Sequence, residues 1–181
     1  MPSTHRHPNP WLDRLTQYTA LTLLILILIS LPLQGVLVLA GAPVFGLVAL
    51  FTLALAPFVL LLTITTPAVT VAPDGLTVQP RIWKTQVVPW AAVRAIKPYP
   101  LLPPADAETS RRYLAGRTKY QPAEGLMLII PTLPLQYRIT GLLAGEGWTP
   151  VIAVTNRTHT QYPVLVKKLR AFHEAATEDA G

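Results

Sequence analysis

The sequence predicts an α-helical transmembrane hairpin followed by a small, mostly-β domain that ends in one amphipathic helix. Three observations predict it. No Asp, Glu, Lys or Arg occurs from Leu15 to Pro73, whereas one membrane crossing takes about 20 apolar residues. The stretch "AVTVAPDGLTVQPRIWKTQVVPW", Ala68 to Trp90, alternates apolar and polar positions on both sides of Asp74-Gly75, as paired strands do. Beyond Asn156 the period becomes helical: Leu165, Leu169, Phe172 and Ala176 form one apolar stripe, with Lys167, Lys168, Arg170 and Glu174 on the other side. Composition agrees, since 51% of the 181 residues are hydrophobic and 13% charged, and soluble domains carry about 25% charge.

The uncharged run has room for two crossings, placed at 18–39 and 44–65 and joined by "AGAP", Ala40 to Pro43. At 1.5 Å per residue each reaches roughly 33 Å, enough to span with modest tilt. Pro32 and Pro57 fall inside these helices, where each removes a backbone donor that neighbouring groups in a membrane can replace. If Pro32 ended the first helix, a re-entrant hairpin would be the alternative. "LAGA", Leu39 to Ala42, has the small-residue spacing of a signal cleavage site, but the apolar stretch before it exceeds the usual h-region of about 7 to 15 residues. An uncleaved hairpin is therefore expected. Arg6 and Arg14 precede it and Arg81, Lys84, Arg94 and Lys97 follow it, while the turn is neutral, so both ends are expected to be cytoplasmic. Residues 1–17 read as a cytoplasmic tail, with Trp11 and Tyr18 suited to the headgroup level.

Residues 67–178 read as the cytoplasmic domain. "AVTV" and "LTVQPRIW" are its first two strands, with Asp74-Gly75 expected to supply a positive backbone angle at the turn. "TQVVPW" ends a third strand and Ala91 to Pro98 gives a fourth, with Trp90 filling the core. "LMLIIP" and "TPVIAVT" are further strands, and "QYRITGLLAGEGW" has room for one more. Thr160 or Tyr162 caps the terminal helix. Six or seven strands followed by one amphipathic helix is the element order of a pleckstrin-homology-like (PH-like) barrel whose helix plugs one open end. The segment "VTVAPDGLTVQPRIWKTQVVPWAAVRAI" resembles the opening of bacterial PH-like domains in small membrane proteins, and "VIAVTNRTHTQYPVLVKKLRAF" is similar to their last strand, turn and helix. The resemblance covers the two ends of the domain and implies a PH-like barrel of about seven strands attached to a bacterial plasma (inner) membrane. It implies no chemistry.

No serine stands in G-x-S-x-G, no P-loop, dinucleotide fingerprint or H-E-x-x-H occurs, and there is no cysteine. No catalytic, cofactor or metal residues are therefore assigned. His5 and His7 offer two metal ligands without a third, Asp106 and Glu108 lie beside arginines in a polar loop, and "NRT" at Asn156 reads as a turn. From Pro67 onward thirteen Lys and Arg face eight Asp and Glu, which favours attraction to anionic membrane lipids. No aromatic-interleaved basic strand points to nucleic acid. The long excursion from Leu101 to Gly125 lacks apolar periodicity and gathers Arg111, Arg112, Arg117 and Lys119 around Tyr113 and Tyr120. These four cations are the candidate contact for a partner or headgroup. The expected function is a membrane-anchored binding or assembly module, with membrane lipids and a membrane-protein partner or second copy as ligands. The alternative is a subunit of a membrane-embedded enzyme or transporter that uses Thr22, Ser30, Gln34 and Thr52.

Overall fold

A computed structural model describes residues 2–64, 66–103, 108, 113 and 120–178. Its two long helices are α1 (Pro10–Leu39) and α2 (Val44–Leu62), and their apolar windows have no buried residues. A core helix of a soluble domain would bury such a surface; here Leu26, Leu28, Ile29, Leu33, Leu50 and Phe51 all face outward. Both helices are long and apolar enough to cross a membrane. They run unbroken through Pro32 and Pro57, so Pro32 does not end the first helix. Gly41 takes φ 92, which lets its own N–H reach the Val38 carbonyl and the Ala42 N–H reach that of Leu37. This paired closure of the last turn is why the expected "AGAP" boundary holds.

The start of α1 differs from expectation. Asn9 caps it, its Oδ1 accepting from the Leu12 N–H at 3.2 Å, so the helix begins at Pro10 rather than near Tyr18. At 30 residues it measures about 45 Å, against roughly 30 Å of hydrocarbon in a bilayer. The surplus is a stalk at its amino end, where Asp13, Gln17 and Ala20 are buried.

Seven strands form two antiparallel sheets among the described residues. The first joins β1 (Ser3–His5), β2 (Ala68–Ala72), β3 (Gly75–Gln79) and β4 (Gln86–Val88) in that order. Residues read as a tail thus supply an edge strand, with Ser3 opposite Val71 and His5 opposite Val69. The helical pair is inserted between the first and second strands of this sheet. Val69, Val71, Leu76, Val78 and Val88 occupy its buried face.

The second sheet joins β5 (Ala95–Pro98), β6 (Gly125–Ile129) and β7 (Val151–Thr155). Leu126, Leu128, Ile152 and Val154 complete the main core, while Met127, Ile129 and Val151 face a second cluster with Ala144 and Tyr99. β6 is therefore covered on both faces, which accounts for its continuous apolar run. No ladder joins β4 to β5 or β7 to β1, so the two sheets do not close into the expected barrel.

Three local expectations are corrected. The stretch from Gln136, with room for a strand, is helix α3 (Gln136–Leu143). Tyr137, Gly141 and Ala144 are buried at helical spacing, and a Cβ on Gly141 would sit 1.8 Å from the Thr149 carbonyl oxygen. The glycine that blurred the pattern is the point where α3 meets the chain leading into β7. At the first hairpin Ala72 pairs with Gly75, leaving Pro73-Asp74 as the turn, and neither Asp74 nor Gly75 has positive φ. Gly75 serves close approach instead, because a Cβ there would lie 2.6 Å from the Val88 carbonyl oxygen. Between β4 and β5, Trp90–Ala92 forms a 3-10 turn where a continuous strand from Ala91 was expected.

Helix α4 (Tyr162–Glu178) closes the unit. Leu165 and Leu169 are fully buried, and Phe172 and Ala176 pack against the same core, as the stripe predicts. Trp90 fills that core, its ring 5.8 Å from Phe172 and its Nε1–H donating to the Ala72 carbonyl at 2.9 Å. The helix entry is at Gln161, between the two expected caps: Gln161 takes φ 53 and its carbonyl accepts from the Val164 and Leu165 N–H groups.

Candidate site at the helix–domain junction

The candidate contacts Arg111, Arg112, Arg117 and Lys119 lie outside the described residues, as does Asp106. At the foot of that excursion Glu108 is buried, and its Oε2 accepts from the Tyr120 hydroxyl at 2.8 Å and from Arg157 Nη2 at 3.1 Å. The Arg157 guanidinium also stands 5.9 Å from the centre of the Tyr120 ring. Glu108 thus anchors the loop end to the turn after β7. The Asn156 side chain works beside it, with Oδ1 accepting from the Glu124 N–H and Nδ2 donating to the Pro122 carbonyl.

A denser polar cluster lies where α1 meets the first sheet. Asp13, in the first turn of α1, is buried, and its Oδ2 receives Arg81 Nη2 at 2.9 Å. Its Oδ1 accepts from Gln17 Nε2 at 2.7 Å and from the Thr66 hydroxyl. Gln17 Nε2 also reaches Thr66 Oγ1 at 3.2 Å, while Gln17 Oε1 is buried without a partner. A buried carboxylate needs such a shell, because an unpaired charge out of water is costly. The shell spans the stalk of α1, the segment after α2 and the end of β3. It borders a cavity of about 290 Å³ whose wall includes Arg6, His7, Arg14 and Arg81. Asp13 is the one acid before the apolar run, which is the sequence signal that it requires a partner. The partners stand too far along the chain to be identified from spacing.

The paired histidines of the amino-terminal stretch serve as struts. The His5 ring is buried, its Nδ1–H donating to the Thr160 carbonyl at 2.8 Å while Nε2 accepts from the Ser3 hydroxyl at 3.1 Å. His7 Nδ1 accepts from the Asn9 N–H at 3.1 Å, next to the cap of α1. His159, also buried, donates from Nε2 to the Pro67 carbonyl at 3.1 Å and accepts at Nδ1 from Thr158. Burial disfavours the charged form of His159 and lowers its pKa to about 4; the nearby His5 and His7 act in the same direction, against the hydrogen bond to Pro67. The two imidazoles therefore tie β1 and the entry to β2 to the turn before α4. Among the described residues no three His, Asp or Glu groups converge as metal ligands.

A third feature is apolar. Leu61, Ile64, Tyr99, Leu143 and Ile152 border a cavity of about 200 Å³ between α2, α3 and the second sheet. The Tyr137 hydroxyl is buried at its wall without a hydrogen-bond partner, and burial raises its pKa. Comparison with protein-family models, curated proteins and solved structures finds no match.

Proposed function

We propose that the chain is a membrane-anchored, PH-like binding or assembly module, held at the cytoplasmic surface of a bacterial plasma membrane. The observation that carries this reading is the pairing of β1 with β2 across the inserted helices. It brings the chain on both sides of α1 and α2 to one end of the pair, and the Asp13–Arg81 ion pair fastens the stalk to the sheet there. The β unit therefore sits directly on its anchor and cannot swing on a linker. Seven antiparallel strands and a docked terminal helix support the PH-like reading, with the helical pair inserted after the first strand and α3 inserted before the last. Cations flank the pair at that end, which supports the cytoplasmic assignment.

The alternative as a transport or catalytic subunit loses support inside the helices. The hydroxyls of Thr22, Ser30 and Thr52 donate to the carbonyls of Tyr18, Ile27 and Val48 in their own helices, which leaves Gln34, whose Oε1 is buried without a partner, as the polar group of the four not bonded to its own helix backbone. Binding falls to the surface of the β unit, where Arg111, Arg112, Arg117 and Lys119 are the proposed contact with a partner or headgroup. Reporter fusions at residues 1 and 181 test the placement. Both fusions are expected to be active only in the cytoplasm, and opposite locations would refute the inserted hairpin. Purification with native lipids and partners retained is expected to bring down a stoichiometric protein or a second copy of the chain.

A further inference from the structure

We infer that the cavity at the α1 stalk is a headgroup site for an anionic phospholipid, whose phosphate is held by Arg6 and Arg14 and whose chains descend the outer face of α1. The inference rests on the membrane placement proposed above. Its first support is charge. Asp13 is the one carboxylate on the cavity wall, and both of its oxygens are already taken by Arg81, Gln17 and Thr66. Arg6 and Arg14 line the same space, and neither forms an ion pair among the described residues. Two free guanidinium groups beside a neutralised acid make a site for a phosphate, which such groups bind with paired, charge-assisted hydrogen bonds.

The second support is position. Arg6 is fixed through its backbone, whose carbonyl accepts from the Thr160 N–H at 3.0 Å and whose N–H donates to the Thr160 hydroxyl at 3.4 Å. Arg14 stands in the first turns of α1 and lines two spaces at once. One is the polar cavity; the other is an open groove of about 510 Å³ on the outward face of the helix, bordered by Trp11, Leu15, Tyr18, Thr22 and Leu23. Trp11 is 69% exposed and Tyr18 56%, at the mouth of the apolar span where amphipathic rings prefer to sit. A polar, cationic pocket and an apolar groove that share Arg14 as a lining residue match the two ends of a phospholipid. A free phosphate ion would have no use for the groove.

The third support is the unpartnered Gln17 Oε1. Its amide orientation is set by Nε2, which donates to Asp13 and Thr66, so a buried acceptor without a partner is left on a residue that lines the cavity. That acceptor needs a donor. A hydroxylated headgroup such as glycerol meets this need beside the phosphate, whereas the choline headgroup has no N–H or O–H to offer. Phosphatidylglycerol is accordingly the chemistry that satisfies the arginines and Gln17 together.

The test uses the full chain in uncharged detergent micelles, titrated with short-chain phosphatidylglycerol, short-chain phosphatidylcholine or inorganic phosphate, with bound lipid counted by native mass spectrometry. Phosphatidylglycerol is expected to bind about tenfold more tightly than phosphatidylcholine, and the double variant Arg6→Gln/Arg14→Gln is expected to lose that preference. A charge-matched variant, Arg94→Gln/Lys167→Gln, removes the same charge elsewhere on the surface and is expected to keep it. Equal loss in both double variants would reduce the effect to diffuse charge and overturn the site, as would unchanged binding in Arg6→Gln/Arg14→Gln. Inorganic phosphate binding as tightly as the lipid would overturn the lipid assignment. An unaltered circular dichroism spectrum checks that each variant is folded. Separately, release of the chain from membranes by alkaline carbonate would sink the membrane placement, and this is read without reference to the titration.

Discussion

Leu28 on α1 and Leu169 on α4 are the same side chain under opposite conditions: 62% of the first is exposed and none of the second. In the β unit, apolar surface is removed from water by packing against the same chain, through two sheets and a docked helix. In the helical pair it is presented outward along both spans, and the two helices touch each other directly, Gly46 lying where an added Cβ would meet Val38 at an ordinary contact distance of 3.8 Å. Helices in lipid associate in this way, because their surroundings are as apolar as their side chains. One region makes its own apolar environment and the other requires one. The junction at Asp13, Arg81, His5 and His159 is where the two meet, and hydrogen bonds and one ion pair join them there.

Substitution at the two leucines tests that contrast most strongly. Leu169→Ala is expected to lower stability by about 2–5 kcal/mol, while Leu28→Ala changes it by less than about 0.5 kcal/mol. Denaturant unfolding of the full chain in micelles, followed by tryptophan emission, reads both. Equal losses would mean that the outer face of α1 is packed against protein.

Acid probes the junction next. His159 has a depressed pKa in the folded chain, about 4 against 6.5, so the unfolded chain binds more protons between those values. Its contribution is therefore fully present above pH 6.5 and lost as pH falls towards 4, by an amount on the order of 3 kcal/mol in total. Unfolding midpoints measured across this window are expected to fall with acid, and His159→Gln to flatten the slope. An unchanged slope in that variant would assign the acid sensitivity to another group.

The smallest effect reverses the usual sign. Tyr137→Phe deletes a buried hydroxyl that has no partner, so stability is expected to hold or rise by about 1 kcal/mol. A clear loss of stability would show that the hydroxyl is bonded to an ordered water or ligand in the apolar cavity.

Much of this architecture was legible because its signals are local. The uncharged run, the Gly41 turn, the alternation of β2 and β3 and the stripe of α4 each depend on neighbours within a few residues, and each element forms close to where its period places it. The stretch from Gln136 is ambiguous in the sequence because Gly141 contributes nothing to a hydrophobic pattern, although its missing Cβ is what lets α3 lie on the Thr149 backbone. The covered back face of β6 was the available clue, since a continuous apolar strand requires a second layer. The candidate cations Arg111, Arg112, Arg117 and Lys119 stand out by their place among Tyr113 and Tyr120 in a long aperiodic loop, and no geometry among the described residues bears on them.

By itself the sequence determined the count of long apolar helices, the strand-rich unit after them and the terminal helix, since these follow from the solvent preference of successive side chains. Only the tertiary structure decided that Ser3–His5 is a strand of the first sheet, that the stalk of α1 is locked to it through Asp13 and Arg81, and that Arg6 and Arg14 share one cavity. A three-residue strand has no period of its own to detect. An ion pair between residues on opposite sides of two apolar helices becomes visible only when the chain has turned back on itself, because its attraction depends on the distance between the charges in space and not on their separation along the chain.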